Sequence, residues 1–421
     1  MIYEDVLEYI SAYWTQLIQN DPPNPSDEGT LIGLPRPYLI PNRREFSEMY
    51  YWDSFFMALG MVHTGREQII LDIAENCAYL IERFGYVPNA NRYYLTSRSQ
   101  PPFFTQIVRL AYDVKLRRGD ADTVPFLDRM RKLAAREQET AWLSSGTESH
   151  RHERLVYRGL SRYRDVNANH FNSSCESGWD HSTRCDGFRP EQETGRWLDF
   201  LPVCLNSILY VREKDLEWAA SIVGDTADAQ RWADRAMTRA ATMHEVMWSE
   251  ERKFYYDFEY SPIQGTDAKP SLSLHETMAG FYPLWAGLAT KPQAESMVRK
   301  WLPRFLHTGG MVTSLPSGVI GRQWAFPNGW APLQWIVVNG LERYGYRHEA
   351  MVIRRWWCDN CAHVFRNGAG PKAFGQGMLL EKYNVVDVGQ LPEPGMYGTG
   401  VGFGWSNAIF VDFARTLNAE M

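Results

Sequence analysis

A chain of 421 residues with 44% hydrophobic and 22% charged residues has the make-up of an ordinary globule. A net charge of −6 with no long basic run excludes nucleic acid and anionic membranes as partners, and no apolar run reaches the ~18–20 residues of a membrane span. The aromatic share is high at 14%, and many of these rings adjoin polar residues, which suits sugar binding as well as a Trp-rich core.

Residues 4–19 place Val6, Leu7, Ile10, Tyr13, Trp14, Leu17 and Ile18 on one face. With Glu4, Asp5 and Glu8 among them, the segment reads as an amphipathic helix, not a signal peptide. Six cysteines without an export signal read as reduced thiols, so the expected location is cytoplasmic. "PPNPSDEG" at 22–29 reads as a surface loop. Helical stripes continue through 51–63, 67–84, 103–117, 123–143, 196–213, 226–248, 275–287, 291–305, 328–344, 346–365 and 404–418. Strand alternation is scarce, and "KFYYDFEY" at 253–260 is its best candidate. Cys358 and Cys361 form a lone C-x-x-C, read as two thiols one helical turn apart. "GQLPEPG" at 389–395 is a second surface loop.

No composition break divides the chain, and no repeat of solenoid period is visible. The expected domain is therefore 1–421 as one unit. About a dozen helices in antiparallel pairs predict an all-α fold, a closed α/α toroid whose loops at one end build the site. Homo-oligomers are compatible with the sequence, and a small molecule is the expected partner.

The loops hold polar groups beside aromatics. "EMYYWDSFF" (48–56) brings Tyr50, Tyr51, Trp52 and Asp53 to a helix start. "NANRYYLTSRSQPPFF" (89–104) packs Asn91, Arg92, Arg98 and Gln100 before two prolines. "CESGWDHSTRCDG" (175–187) wedges Asp180 between Trp179 and His181, with Glu176 four residues earlier. "RQWAFPNGWAPLQW" (322–335) supplies Trp324, Asn328 and Trp330, and "FGWSNAIF" (403–410) follows a glycine-rich loop. Capping and packing explain any one of these; together they favour a shared pocket. His170 and His181 lie in no metal-binding spacing, and neither metal nor cofactor is expected.

"YYWDSFF", "SRSQPPFF", "ESGWDHSTR", "PNGWAPLQ", "EKYN" and "GFGWSNAIF" resemble, in order, the blocks of the trehalase-like α/α-toroid glycosidases. "PVCLNSILY" (202–210) resembles a scaffold block of that group. The resemblance implies an (α/α)6 toroid and an inverting α-glycosidase acting on a small-molecule glycoside. It implies Asp180 as general acid and Glu381 as general base. A buried acid beside an indole would stay protonated near neutral pH, which fits Asp180 next to Trp179. Inversion then needs the carboxyls ~6.5–9.5 Å apart, with water between. Glu176 is the rival acid if 174–182 is helical; Gly178 argues for a loop, which leaves Glu176 a supporting role. The implied substrate-binding set is Tyr50, Tyr51, Trp52, Asp53, Asn91, Arg98, Gln100, Arg162, Tyr163, Gly178, Trp179, Trp324, Asn328, Trp330, Tyr397 and Trp405.

Departures from the trehalase pattern bear on the second sugar. Met396-Tyr397 stands where trehalases have Glu-Tyr, Ala325 where they usually have aspartate, and Ser47-Glu48 where they have Arg-Glu. "GLSRYRD" (159–165) replaces their Arg-Pro-Glu-Ser run and resembles the mannosylglycerate and glucosylglycerate hydrolases. The expected substrate is therefore an α-glycosyl-glycerate, mannosyl favoured, with α,α-trehalose as the alternative and a non-catalytic sugar-binding protein as the second. Its carboxylate would need an arginine. Arg162 is the first candidate, followed by Arg43, Arg44 and Arg98.

Overall fold

Apolar stripes of period 3.6 fold as helices along the whole chain in the computed structural model, which describes residues 2–20, 29–62, 64–144, 153–185, 195–261 and 269–420. Residues 22–28 of the loop expected at 22–29 and the end of the acid-block stretch at 186–187 lie outside the described residues. In order, the helices are α1 (Glu4–Leu17), α2 (Tyr51–Met61), α3 (Gln68–Phe84), α4 (Phe104–Arg118), α5 (Thr123–Glu137), α6 (His170–Glu176), α7 (Val203–Ile222), α8 (Thr226–Val246), α9 (Tyr282–Trp285), α10 (Lys291–Lys300), α11 (Leu302–Phe305), α12 (Ala331–Arg343), α13 (Arg347–Asn367) and α14 (Gly404–Ala419).

Helices α2, α4, α7, α9, α12 and α14 form the inner ring, each touching the next, and α14 returns to touch α2. Helix α2 has every residue buried, as a helix inside such a ring must. Its seam with α14 is tight: a Cβ on Gly60 would lie 2.6 Å from the Ala408 Cα. Outside this ring, α1 packs on α14, α3 on α2 and α4, α5 on α4 and α7, α8 on α7, and α13 on α12 and α14. The outer helices are one-sided; α1 buries Val6, Ile10, Tyr13, Trp14 and Leu17. This is the expected all-α, (α/α)6 architecture, and one hydrophobic cluster runs through both rings.

Local chemistry sets the helix ends. Gly85 and Gly119 stop α3 and α4 in the left-handed region, at φ 85° and 74°. A capping box between Thr290 and Gln293 starts α10.

Several expected elements differ. Of the 275–287 helix only Tyr282–Trp285 is α-helical, after a 3-10 turn at Met278–Phe281, and the 328–344 helix starts at Ala331, after a strand at Asn328–Trp330. The 123–143 helix leaves α geometry after Glu137 for a π-helical turn, Gln138–Trp142. The 291–305 helix is split at Trp301 before Pro303. The 196–213 helix starts only after Pro202 and runs to Ile222. "KFYYDFEY" is not one strand: Phe254–Tyr255 pairs with Trp248–Ser249, and Phe258–Glu259 pairs with Phe200–Leu201 and Ser271–Leu272.

Candidate active site

The N-terminal ends of inner helices converge on a cavity of about 160 Å³. Asp53 reaches it from the first turn of α2, Gln100 from the segment before α4, and Trp405 from the first turn of α14.

Tryptophans build the wall. Trp324 stacks on Trp330 at 3.7 Å between centroids and on Trp179 at 5.5 Å, and Trp52 and Trp405 meet it edgewise or tilted. Gly178 has φ 71°, and a Cβ there would lie 2.7 Å from the Trp52 ring, so only glycine lets the acid loop pass. The same loop is tied to the Trp324 block through a backbone bridge between Ser182 and Trp324.

Asp180 and Glu381 both line this cavity, in different surroundings. Asp180 Oδ2 accepts one hydrogen bond from Gln323 Nε2 at 2.9 Å. Burial pushes the Asp180 carboxyl up to about 7, and the nearby Glu381 charge adds to the rise. The indoles sharing its wall are Trp52, Trp324 and Trp405; the sequence neighbour Trp179 is turned onto the Arg184 guanidinium, 4.5 Å away. Glu381 is held by donors: Tyr397 Oη at 3.0 Å, the Gly400 N–H at 3.1 Å and Lys382 Nζ at 3.4 Å. Burial raises its carboxyl too, and these three groups pull against that rise. Pairing of Asn328–Trp330 with Lys382–Asn384 brings the two blocks side by side. Asp53 is the third carboxyl, pushed up to about 8 by burial and by the Glu381 and Asp180 charges.

Of the expected residues, Tyr50, Trp52, Asp53, Arg98, Gln100, Gly178, Asp180, Trp324, Glu381, Tyr397 and Trp405 line the cavity. The others stand behind the wall. Tyr51 donates to Glu137 and accepts from the Phe104 N–H, facing away from its neighbours Trp52 and Asp53 around the helix. Asn91 accepts from the Met49 N–H and donates to Ile32 O. Asn328 is bound to Gln323 O and to the Glu393 backbone, and Trp330 Nε1 donates to Gln323 O. Tyr163 is buried beside Cys204. Arg162 does not reach the cavity: it donates to Glu153 O, Leu198 O and Tyr260 Oη. Arg43 and Arg44 are exposed and off the cavity wall. Glu176 ends α6 with its side chain buried, so it does not share a helical face with Asp180. His170 Nδ1 accepts from the Leu198 N–H.

Asn89, Phe46, Leu95 and Phe403 also line the cavity, and Gln323 and Lys382 stand directly behind it. Asn89, Leu95, Gln323 and Phe403 lie inside the polar–aromatic blocks; Phe46 is an ordinary apolar residue outside them, with no signal in the sequence.

A family model described as "Trehalase" matches residues 3–418. The chain is 32% identical to the periplasmic trehalase of Escherichia coli O1:K1 over 435 aligned positions, covering 96% of this chain and 73% of that protein. It superposes on the neutral trehalase of Saccharomyces cerevisiae with a TM-score of 0.74 at 27% identity, covering 98% of this chain and 80% of that one. The mannosylglycerate hydrolase of Thermus thermophilus superposes at a TM-score of 0.65 and 17% identity, over 97% and 99% of the two chains, a likeness of fold alone.

Two expectations are corrected by these findings. The glycerate substrate loses its support, because the trehalases are the more similar proteins and Arg162 is engaged elsewhere. The cytoplasmic location is overturned by the periplasmic relatives. Neither feature behind it reports a compartment. Helix α1 is amphipathic because it packs on the ring, and Cys77, Cys204, Cys358 and Cys361 are free but buried.

Proposed function

The chain belongs to the trehalase family of glycoside hydrolases on the (α/α)6 fold, and we propose that it is an inverting α,α-trehalase, located as its periplasmic relatives are. The observation that carries this reading is the contrast between Asp180 and Glu381 across one cavity. Asp180 accepts from the Gln323 amide, and burial raises its carboxyl to about 7, so a proton is available on it near neutral pH. The carboxyl with three donors is Glu381, whose charge those donors favour.

One glucose ring sits against Trp52, Trp324 and Trp405, with Asp53 and Gln100 as hydroxyl partners. Asp180 protonates the oxygen that leaves with the second glucose. Glu381 takes a proton from a water, which attacks the anomeric carbon from the opposite face. The products are one glucose with inverted configuration and one with its configuration kept. Arg98, Tyr50 and Phe46, also on the wall, meet the leaving sugar.

Glucose release from trehalose, measured beside mannosylglycerate and glucosylglycerate, tests the proposal. Turnover of trehalose alone is the expected result. Turnover of a glycosyl-glycerate with trehalose inert would refute it.

A further inference from the structure

Lys382 follows Glu381 directly, and its side chain is fully buried. Its Nζ lies 3.4 Å from Glu381 Oε2 and 3.5 Å from Gln323 Oε1. It also sits 5.2 Å from the Trp330 ring centroid and 5.5 Å from that of Tyr397, distances at which aromatic faces attract a cation. An ammonium has three donors and no acceptor, so each polar atom it faces must accept. That orients the Gln323 amide: the oxygen faces Lys382, and the nitrogen faces Asp180 Oδ2 at 2.9 Å. The reversed amide would set N–H against ammonium and carbonyl oxygen against carboxylate. The connection from Glu381 through Lys382 and Gln323 to Asp180 therefore has one polarity.

We infer that Lys382 is a positioning residue that decides where the proton of the two carboxyls resides. It holds Glu381 ionised by direct contact. Through Gln323 it keeps a donor on Asp180 Oδ2, which leaves Oδ1 as the oxygen that carries the proton. The inference rests on the acid–base reading above. The titratable groups facing the pair are Asp53 from α2, the phenols of Tyr50 and Tyr397, the Cys175 thiol, and Arg98 at the cavity wall. The Glu381 and Asp180 charges oppose ionisation of Asp53. Lys382 is the cation that favours ionisation of both Glu381 and Asp180, and it touches only Glu381 directly.

The test compares pH profiles of kcat/KM on trehalose and on α-D-glucosyl fluoride, whose fluoride leaves without an acid. In Lys382→Met the acidic limb should move up by about one pH unit or more on both substrates, because the base has lost its counter-charge. In Gln323→Leu the acidic limb should stay. Its rate on trehalose should fall roughly tenfold or more beyond its rate on the fluoride, because trehalose alone needs the oriented proton. An unmoved limb in Lys382→Met overturns the inference, and so do equal losses on both substrates in Gln323→Leu. If circular dichroism shows Lys382→Met unfolded, the substrate contrast in Gln323→Leu decides. Unmutated protein inactive on both substrates would sink the acid–base reading itself, before any variant is compared.

Discussion

Glu176 and Arg154 form an ion pair with neither side chain exposed. Glu176 also accepts from the Ser99 N–H at 2.7 Å and the Arg164 N–H at 2.6 Å. One carboxylate thus joins three segments: the stretch carrying Arg98 and Gln100, the stretch 154–164, and α6 leading into Asp180. A carboxylate engaged in this way, and off the cavity wall, does not face a substrate. Glu176→Gln leaves the Arg154 charge buried and poorly paired, which should cost about 3–5 kcal/mol of stability in urea unfolding. A rival-acid role predicts the reverse, a large loss of kcat at unchanged stability.

The ring helices are legible in the sequence because each outer helix shows water one face and the core another, which writes a 3.6-residue stripe into the chain. Helix α6 is not: its seven residues, His170–Glu176, are too few for a stripe to register. Asp180 and Glu381 are legible through their blocks, but which side chain of a block faces the cavity is not. Tyr51 and Asp53 are two residues apart on α2 and point in different directions, one to the Glu137 carboxylate and one to the cavity. Arg162 reads as a free cation in the sequence because its partners, including Leu198 O and Tyr260 Oη, are distant along the chain. Lys382 is hidden by the prominence of Glu381 beside it.

The acid and base roles make a kinetic prediction. Asp180→Asn and Glu381→Gln should each lower kcat by ~10²–10⁴-fold or more while the fold is retained. Proton NMR during the first turnovers of unmutated protein should show β-glucose appearing together with α-glucose from trehalose. Release of α-glucose alone would mean retention of configuration and a different mechanism.

Arg162 and Arg98 should separate structure from substrate. Arg162→Ala removes charged hydrogen bonds to two carbonyl oxygens and the Tyr260 hydroxyl, which should cost about 1.5–3 kcal/mol of stability. Its kcat/KM on trehalose should change little. Arg98→Ala should do the opposite, lowering kcat/KM roughly tenfold with the melting temperature nearly unchanged, because Arg98 stands on the cavity wall. If Arg162→Ala is the variant that loses turnover, the cavity assignment is wrong.

Stability should fall as the solution turns alkaline, and the cavity carboxyls should be part of the cause. The Asp53 carboxyl is raised to about 8 and that of Asp180 to about 7, against an ordinary value of 3.8. A raised acid is one the fold prefers protonated. Its contribution is complete below the ordinary value, where both folded and unfolded chains hold the proton. Above that value the unfolded chain releases its proton first, and the contribution is lost as pH rises through about 7 for Asp180 and about 8 for Asp53. The surface carboxyls held low by arginine or lysine, such as Asp5 and Asp128, act with the opposite sign and only at acid pH. The two windows therefore do not overlap. Asparagine cannot ionise, so Asp53→Asn should gain melting temperature relative to unmutated protein as pH rises from roughly 5.5 to 8.5. The measurement is that difference at the two pH values. A difference that stays constant would mean Asp53 ionises in the fold as it does in water, and the account of burial raising its carboxyl would not stand. The same variant should lose kcat/KM on trehalose, because the carboxyl that burdens the fold at alkaline pH is the one aimed at the sugar.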